Sequence, residues 1–129
     1  MTGEFIAVAG CTIDHDTGST ISGGTFSITS TTIAECKAEG QEFYTIEIAF
    51  TFSGGSDSTV GVVAGSVVGA GTIAATAQKV KAKNGFVMRE GDTGTLTGTG
   101  TNPAAPPPTL AVSGPVIITA AGQSKVRAL

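Results

Sequence analysis

From Tyr44 to Ser53 the chain alternates without a slip. Tyr44, Ile46, Ile48, Phe50 and Phe52 fall on one side, with Thr45, Glu47, Ala49, Thr51 and Ser53 on the other. Strict period-two alternation of this length predicts a half-buried strand, ended by Ser53-Gly54-Gly55-Ser56-Asp57. Phe26 and Ile28 alternate with Ser27 and Thr29 in the same way, after a predicted turn at Ser22-Gly23-Gly24. From Thr93 to Thr101 threonine occupies every odd position, against Gly94, Leu96, Gly98 and Gly100. The β-branched face suits a strand. The glycine face has nothing to pack, so a second backbone is expected to pass close to it. Asn84-Gly85 predicts a tight hairpin. The run Asn102-Pro103-Ala104-Ala105-Pro106-Pro107-Pro108 predicts a stiff, extended excursion, and Gly114-Pro115 is read as the start of the last strand pair. No helix is predicted.

One short pattern comes back twice. Glu35-Cys36-Lys37-Ala38 is followed by Lys79-Val80-Lys81-Ala82 and Lys125-Val126-Arg127-Ala128, each a polar residue, a small apolar one, a cation and alanine. The cations lie 81 − 37 = 44 and 127 − 81 = 46 residues apart. Six of the seven basic residues, all but Arg89, lie in or beside these copies. A near-constant period predicts one structural unit used three times, each completing its neighbour's core.

Composition narrows the class further. The 129 residues suit a single domain, 1–129, with a modest core. About half of them are Gly, Ser, Thr or Ala, and only 13% are charged, which fits many short strands. A formal net charge of −3 argues against nucleic acid as a partner, because phosphate binding needs a dense cationic surface. Ser58–Gln78 is uncharged and long enough to span a bilayer. Its Gly, Ser, Thr and Ala content makes a close-packed β segment the better reading. Ile6-Ala7-Val8-Ala9-Gly10-Cys11 has the look of a lipoprotein cleavage box, but what precedes it is short and lacks a basic residue.

Candidate chemistry is sparse. Cys11 and Cys36 could form a disulfide or stand as buried thiols. Val80 and Val126 occupy the positions equivalent to Cys36, which favours the buried reading. Cys11 and His15 make a Cys-x3-His spacing flanked by Asp14 and Asp16. Thiolate with imidazole suits zinc or iron, so these two are the candidate metal ligands. The alternative is a polar Asp-His-Asp-Thr-Gly loop between strands. No nucleophile motif accompanies the single histidine, and an enzyme is not expected.

Val80-Lys81-Ala82-Lys83-Asn84-Gly85-Phe86-Val87-Met88-Arg89-Glu90-Gly91-Asp92-Thr93 resembles the repeat unit of the PAAR proteins, which cap the membrane-piercing spikes of contractile phage tails and type VI secretion systems. Asn84-Gly85, Arg89 and Gly91-Asp92-Thr93 match that unit. Phe86-Val87-Met88 replaces Lys-Pro-Ala-Ala and is one residue shorter. The resemblance covers mainly 72–95, with weaker echoes at 28–43 and 116–128. It implies a cone of short strands in pseudo-threefold arrangement, made by one chain. Members of the family hold an apical metal with three His and one Cys. One histidine here means that ligand set cannot be carried over.

The expectation is therefore an all-β, short-strand repeat domain, a pseudo-threefold β-prism or cone. It would cap a trimeric spike, one copy per trimer, in a virion baseplate or an assembled injection apparatus, and touch the target envelope transiently. Lys37, Lys81 and Arg127 are the expected partner-binding residues, being features present three times. The alternative is a β-sandwich surface module, such as a capsid decoration or adhesin-type domain.

Overall fold

The computed structural model describes residues 4–58, 61–77, 79–82, 85–103, 109–124 and 126–128. Among these there is no helix. The strands are β1 (Glu4–Phe5), β2 (Thr12–His15), β3 (Ile21–Ile28), β4 (Ile33–Ala38), β5 (Gln41–Phe43), β6 (Glu47–Asp57), β7 (Val67–Ala74), β8 (Lys81–Ala82), β9 (Gly85–Phe86), β10 (Thr93–Thr101), β11 (Thr109–Ala120) and β12 (Arg127–Ala128). Six long or medium strands form one antiparallel sheet in the order β2-β11-β10-β7-β6-β3. This sheet curls into a nearly closed barrel, so that its edges β2 and β3 approach each other. The other six strands make three two-stranded sheets, β1-β12, β4-β5 and β8-β9.

The barrel is filled from every wall. Ile13, Ile21, Ile48, Phe50, Phe52, Val67, Ile73, Leu96, Val112, Val116 and Ile118 are all buried in one cluster. Strand β6 turns its inward residues as the alternation predicts: Ile48, Phe50 and Phe52 are buried, while Glu47, Thr51 and Ser53 are exposed. Threonines 93, 95, 97, 99 and 101 all face outward from β10. The expected close approach is made by β7. A Cβ added at Gly94 or Gly98 would overlap the carbonyl of Thr72 or Val68.

One end of the barrel is closed by three short segments, 5–9, 42–46 and 86–90, bonded in a ring. The Ala7 amide donates to the Met88 carbonyl (2.8 Å), Met88 to Tyr44 (2.9 Å) and Tyr44 back to Ala7 (3.1 Å). A second ring runs the other way round: Ala9 donates to Glu42 (2.9 Å), Ile46 to Phe86 (2.9 Å) and Glu90 to Phe5 (2.7 Å). The β-bridges Val8↔Phe43, Thr45↔Val87 and Ile6↔Arg89 complete the pattern. Positions n, n + 37 and n + 81 thus play the same role. Ala7, Tyr44 and Met88 sit in the barrel core, whereas Ile6, Phe43 and Val87 join a second apolar cluster.

The repeated cations follow the same correspondence. Lys37 pairs with Glu42, Lys81 with Phe86 and Arg127 with Phe5, each the first residue of a ring segment. The third unit is split between the two ends of the sequence: β11 and β12 come late, while β1, the ring segment and β2 come early. Gln123 fastens this junction. Its side chain donates to the Ile6 (2.9 Å) and Val126 (2.7 Å) carbonyls and accepts from the Val126 amide (2.8 Å).

Four expectations are corrected. Ile46 is 51% exposed and Thr45 is buried, because the chain bends at Ile46 before β6 begins. The bend is a γ-turn in which Glu47 N–H reaches Thr45 O at 2.8 Å, with Ile46 at φ 68°. Ser53–Asp57 continues β6 through a register shift instead of ending it. Ser22-Gly23-Gly24 lies inside β3, with Gly23 opposite Gly55. Gly114-Pro115 lies mid-strand in β11; β2 stops opposite Val116, so the proline borders that neighbour's end, where a missing N–H is tolerated. The predicted turn residue Asn84 and the prolines 106–108 lie outside the described residues, although Ala82↔Gly85 pairing does bracket a two-residue connection.

Candidate functional site

The candidate residues fall in three places. Lys37, Lys81 and Arg127 lie on β4, β8 and β12, one on each two-stranded sheet. Lys37 and Lys81 are exposed. Lys81 holds its ammonium 4.7 Å from the centre of the Phe86 ring, a cation–π contact. The side chain of Arg127 lies outside the description. The strand pairing gives these three residues equivalent positions in the fold.

Cys11 and His15 are not brought together. Cys11 immediately precedes β2 and His15 ends it, four residues apart on an extended chain, about 13 Å at the usual rise per residue. One ion cannot hold both. Among the described residues no group of three or more His, Cys, Asp and Glu side chains converges. The apical metal of the resembled family therefore does not fit these residues. Cys11 is buried, and desolvation pushes its thiol up to about 11, so it stays neutral. Cys36 is half-buried, and both thiols are free.

His15 is occupied differently. Its Nε2 lies 2.8 Å from the Gly23 carbonyl, which can only accept, so that nitrogen carries the proton. The ring packs against Phe26 and Phe52, with centroids 5.1 and 5.3 Å away. Nδ1 is buried without a hydrogen-bond partner. The flanking aspartates serve the local backbone: Asp14 accepts from the His15 amide (2.7 Å) and Asp16 from the Thr17 amide (2.8 Å). The polar-loop alternative holds only from Asp16 through the turn at Thr17-Gly18, since Asp14 and His15 belong to β2.

Two of the residues that carry the family resemblance, Arg89 and Asp92, form a polar staple with Thr76. Asp92, 3% exposed, accepts from the Arg89 amide at 2.8 Å and from the Thr76 hydroxyl, and pairs with the Arg89 guanidinium at 3.8 Å. Arg89 also donates to Thr76 at 2.7 Å. Gly91, at φ 91°, lets the chain turn between them. The network fixes the corner between a ring segment and β10. Thr76 was not singled out in the sequence, since nothing local marks its distant partners.

A further feature was also missed. Between β2 and β3 lies a cleft of about 360 Å³, lined by Cys11, Thr12, Ile13, Asp14, Gly24, Thr25, Phe26 and Ile28. The clue in the sequence is one position that differs among the units. Phe26 pairs with Phe52 where Gly71 pairs with Leu96 and Val116 with His15. Such a comparison needs the register first. No family model matches this chain, and neither curated proteins nor solved structures gave a match.

Proposed function

We propose that this chain is a structural cap for a threefold-symmetric partner: the PAAR-like tip of a trimeric membrane-piercing spike in a contractile tail or related injection system. The observation that supports this reading most is the double ring of hydrogen bonds through Ala7, Tyr44 and Met88. In this reading it marks a pseudo-threefold β-prism. One chain then presents the same backbone geometry three times and can meet three identical chains, while still converging on one axis as a trimer of separate chains cannot.

Mechanical work suits the rest of the body. Strands β7, β10 and β11 are adjacent and contain no charged residue, so a continuous wall carries no ions into an envelope. Polar backbone groups of that wall are held by ladders of six to nine register pairs. The large sheet curls on itself instead of facing a second large sheet, which favours the cap over a β-sandwich module. The reading assigns no catalytic step.

The seat on the spike is assigned to the three two-stranded sheets, with Lys37, Lys81 and Arg127 towards the partner. The test is co-purification with the cognate trimeric spike. One copy per trimer is expected, with binding lost when Lys37, Lys81 and Arg127 are all changed to Glu and the fold is retained. Three copies per trimer, or no binding, would contradict the cap. Undiminished binding by the triple variant would remove only the seat.

A further inference from the structure

Three hairpins build the barrel, and backbone closes only two of them. β6 and β7 pair from Glu47↔Ala74 to Gly55↔Val67, and β10 and β11 from Thr93↔Ile117 to Thr101↔Thr109. β2 and β3 run side by side with no pairing between them. Phe26 supplies the physical reason. Its ring lies 4.7 Å from Phe52, 5.4 Å from Phe50 and 5.1 Å from His15, centroid to centroid, and takes up room that Gly71 leaves free in the next unit. The aromatic group wedges the hairpin apart. At the loop end the gap is spanned by a side chain, His15, reaching the Gly23 carbonyl.

Facing, unpaired strand edges are templates for another strand. We infer that the β2–β3 seam is an acceptor for an extended strand of a partner protein, which pairs antiparallel with β3 by β-augmentation. The lining defines its chemistry. Backbone groups of Gly24, Phe26 and Ile28, which alternate with those bonded to β6, supply the hydrogen bonds. The Phe26 ring already fills the interior there, so side chains directed inward must be small. Asp14 is the one charged residue on the cleft wall, which disfavours acidic residues and admits basic ones. The occupant is an uncharged or basic strand of small residues. This inference stands apart from the cap reading, since it rests on the difference between units and not on their equivalence.

The sister hairpin provides a probe. β10 pairs antiparallel with β11 as the occupant would with β3, so a synthetic peptide copying Thr93–Thr101, with Leu96→Ala to keep its inward face small, is titrated into the full chain and followed by NMR. Saturable one-to-one binding is expected, with amide shifts at Thr12–Asp14 and Thr25–Ser27 and none in β7. The same peptide with proline in place of residues 96 and 98 lacks two of the N–H donors that β10 turns towards β11, and should bind at least about tenfold more weakly. Phe26→Gly, which lets the hairpin close, should abolish binding; Phe26→Val, copying Val116, is the milder form if the first fails to fold. Equal binding of both peptides, no binding by the unaltered chain, or undiminished binding by a folded Phe26 variant would overturn the proposal.

Discussion

The hairpins β6/β7 and β2/β3 occupy corresponding places in one barrel and behave in opposite ways. In the first, Phe50 lies opposite Gly71, and the strands close enough to ladder. In the second the equivalent of Gly71 is Phe26, and the ladder is absent. A small barrel has little spare interior, so each unit can contribute bulk only where another contributes none. Gly71 makes room for Phe50; Phe26 has no such counterweight. Closure of the sheet is thus decided by volume, and backbone propensity is the same on both sides.

The largest test of this comparison places a charge in each hairpin. Ile48→Asp puts a carboxylate where nothing can hydrate it and should cost more than about 4 kcal/mol, enough to unfold the domain. Ile13→Asp, on the wall of the cleft, should cost clearly less because water reaches it. Equal losses in urea denaturation would mean that the seam is as dry as the closed hairpin. Next in size is Gly71→Phe, which copies Phe26 into the closed hairpin. Its Cβ would overlap the Thr95 carbonyl and come within 2.9 Å of the Phe50 ring, so a loss of about 3 kcal/mol and faster amide exchange in β7 are expected.

Cys11 gives the seam a pH signature. Its thiol is held neutral in the fold up to about pH 11, against an ordinary value of 9.0. Above pH 9 the unfolded chain sheds a proton that the folded chain keeps, so stability falls as pH rises through that window. The loss is on the order of 2 kcal/mol by pH 11. Burial also raises the Tyr44 phenol, so part of the alkaline loss should survive Cys11→Ala and part should vanish. An unchanged pH profile in that variant would show the thiol to be solvated.

The smallest effect concerns the ring corners. Gly10 (φ 95°) and Gly91 (φ 91°) turn two of them through four-residue turns, with Cys11 N–H on Val8 O and Asp92 N–H on Arg89 O. At the third corner Ile46 takes φ 68° in a tighter γ-turn, a conformation strained for a β-branched residue. Ile46→Gly should therefore be stabilising by about 1 kcal/mol, read as a higher thermal midpoint. A lower midpoint would mean that packing of Ile46 on Gly85 outweighs the strain.

These cases also show what sequence can carry. The inward face of β6 and the glycine face of β10 were legible because each is a short-range pattern with one physical reading. The three cations were legible because a four-residue pattern recurs at a near-constant interval. Ile46 was misassigned because alternation continues through it on paper, while a backbone turn reverses it in space. Gly54 and Gly55 looked like a stop, yet inside a curling sheet glycine lets a strand bend and go on. Cys11 and His15 suggested a metal only while their spacing had no geometry attached; on an extended strand it separates them. The seam was the hardest to see. It follows from one side chain compared across units whose alignment, with the third unit divided between the chain's ends, only the register reveals.

The most direct test of the central claim, that one chain closes a ring from three equivalent segments, is amide hydrogen exchange at Ala7, Tyr44 and Met88. Each amide donates to the next segment's carbonyl, so all three should exchange only through global unfolding, at opening free energies equal to one another and to that of the domain. Exchange at Ala7 that is orders of magnitude faster than at Tyr44 and Met88 would contradict the ring and leave two repeats with an appended strand.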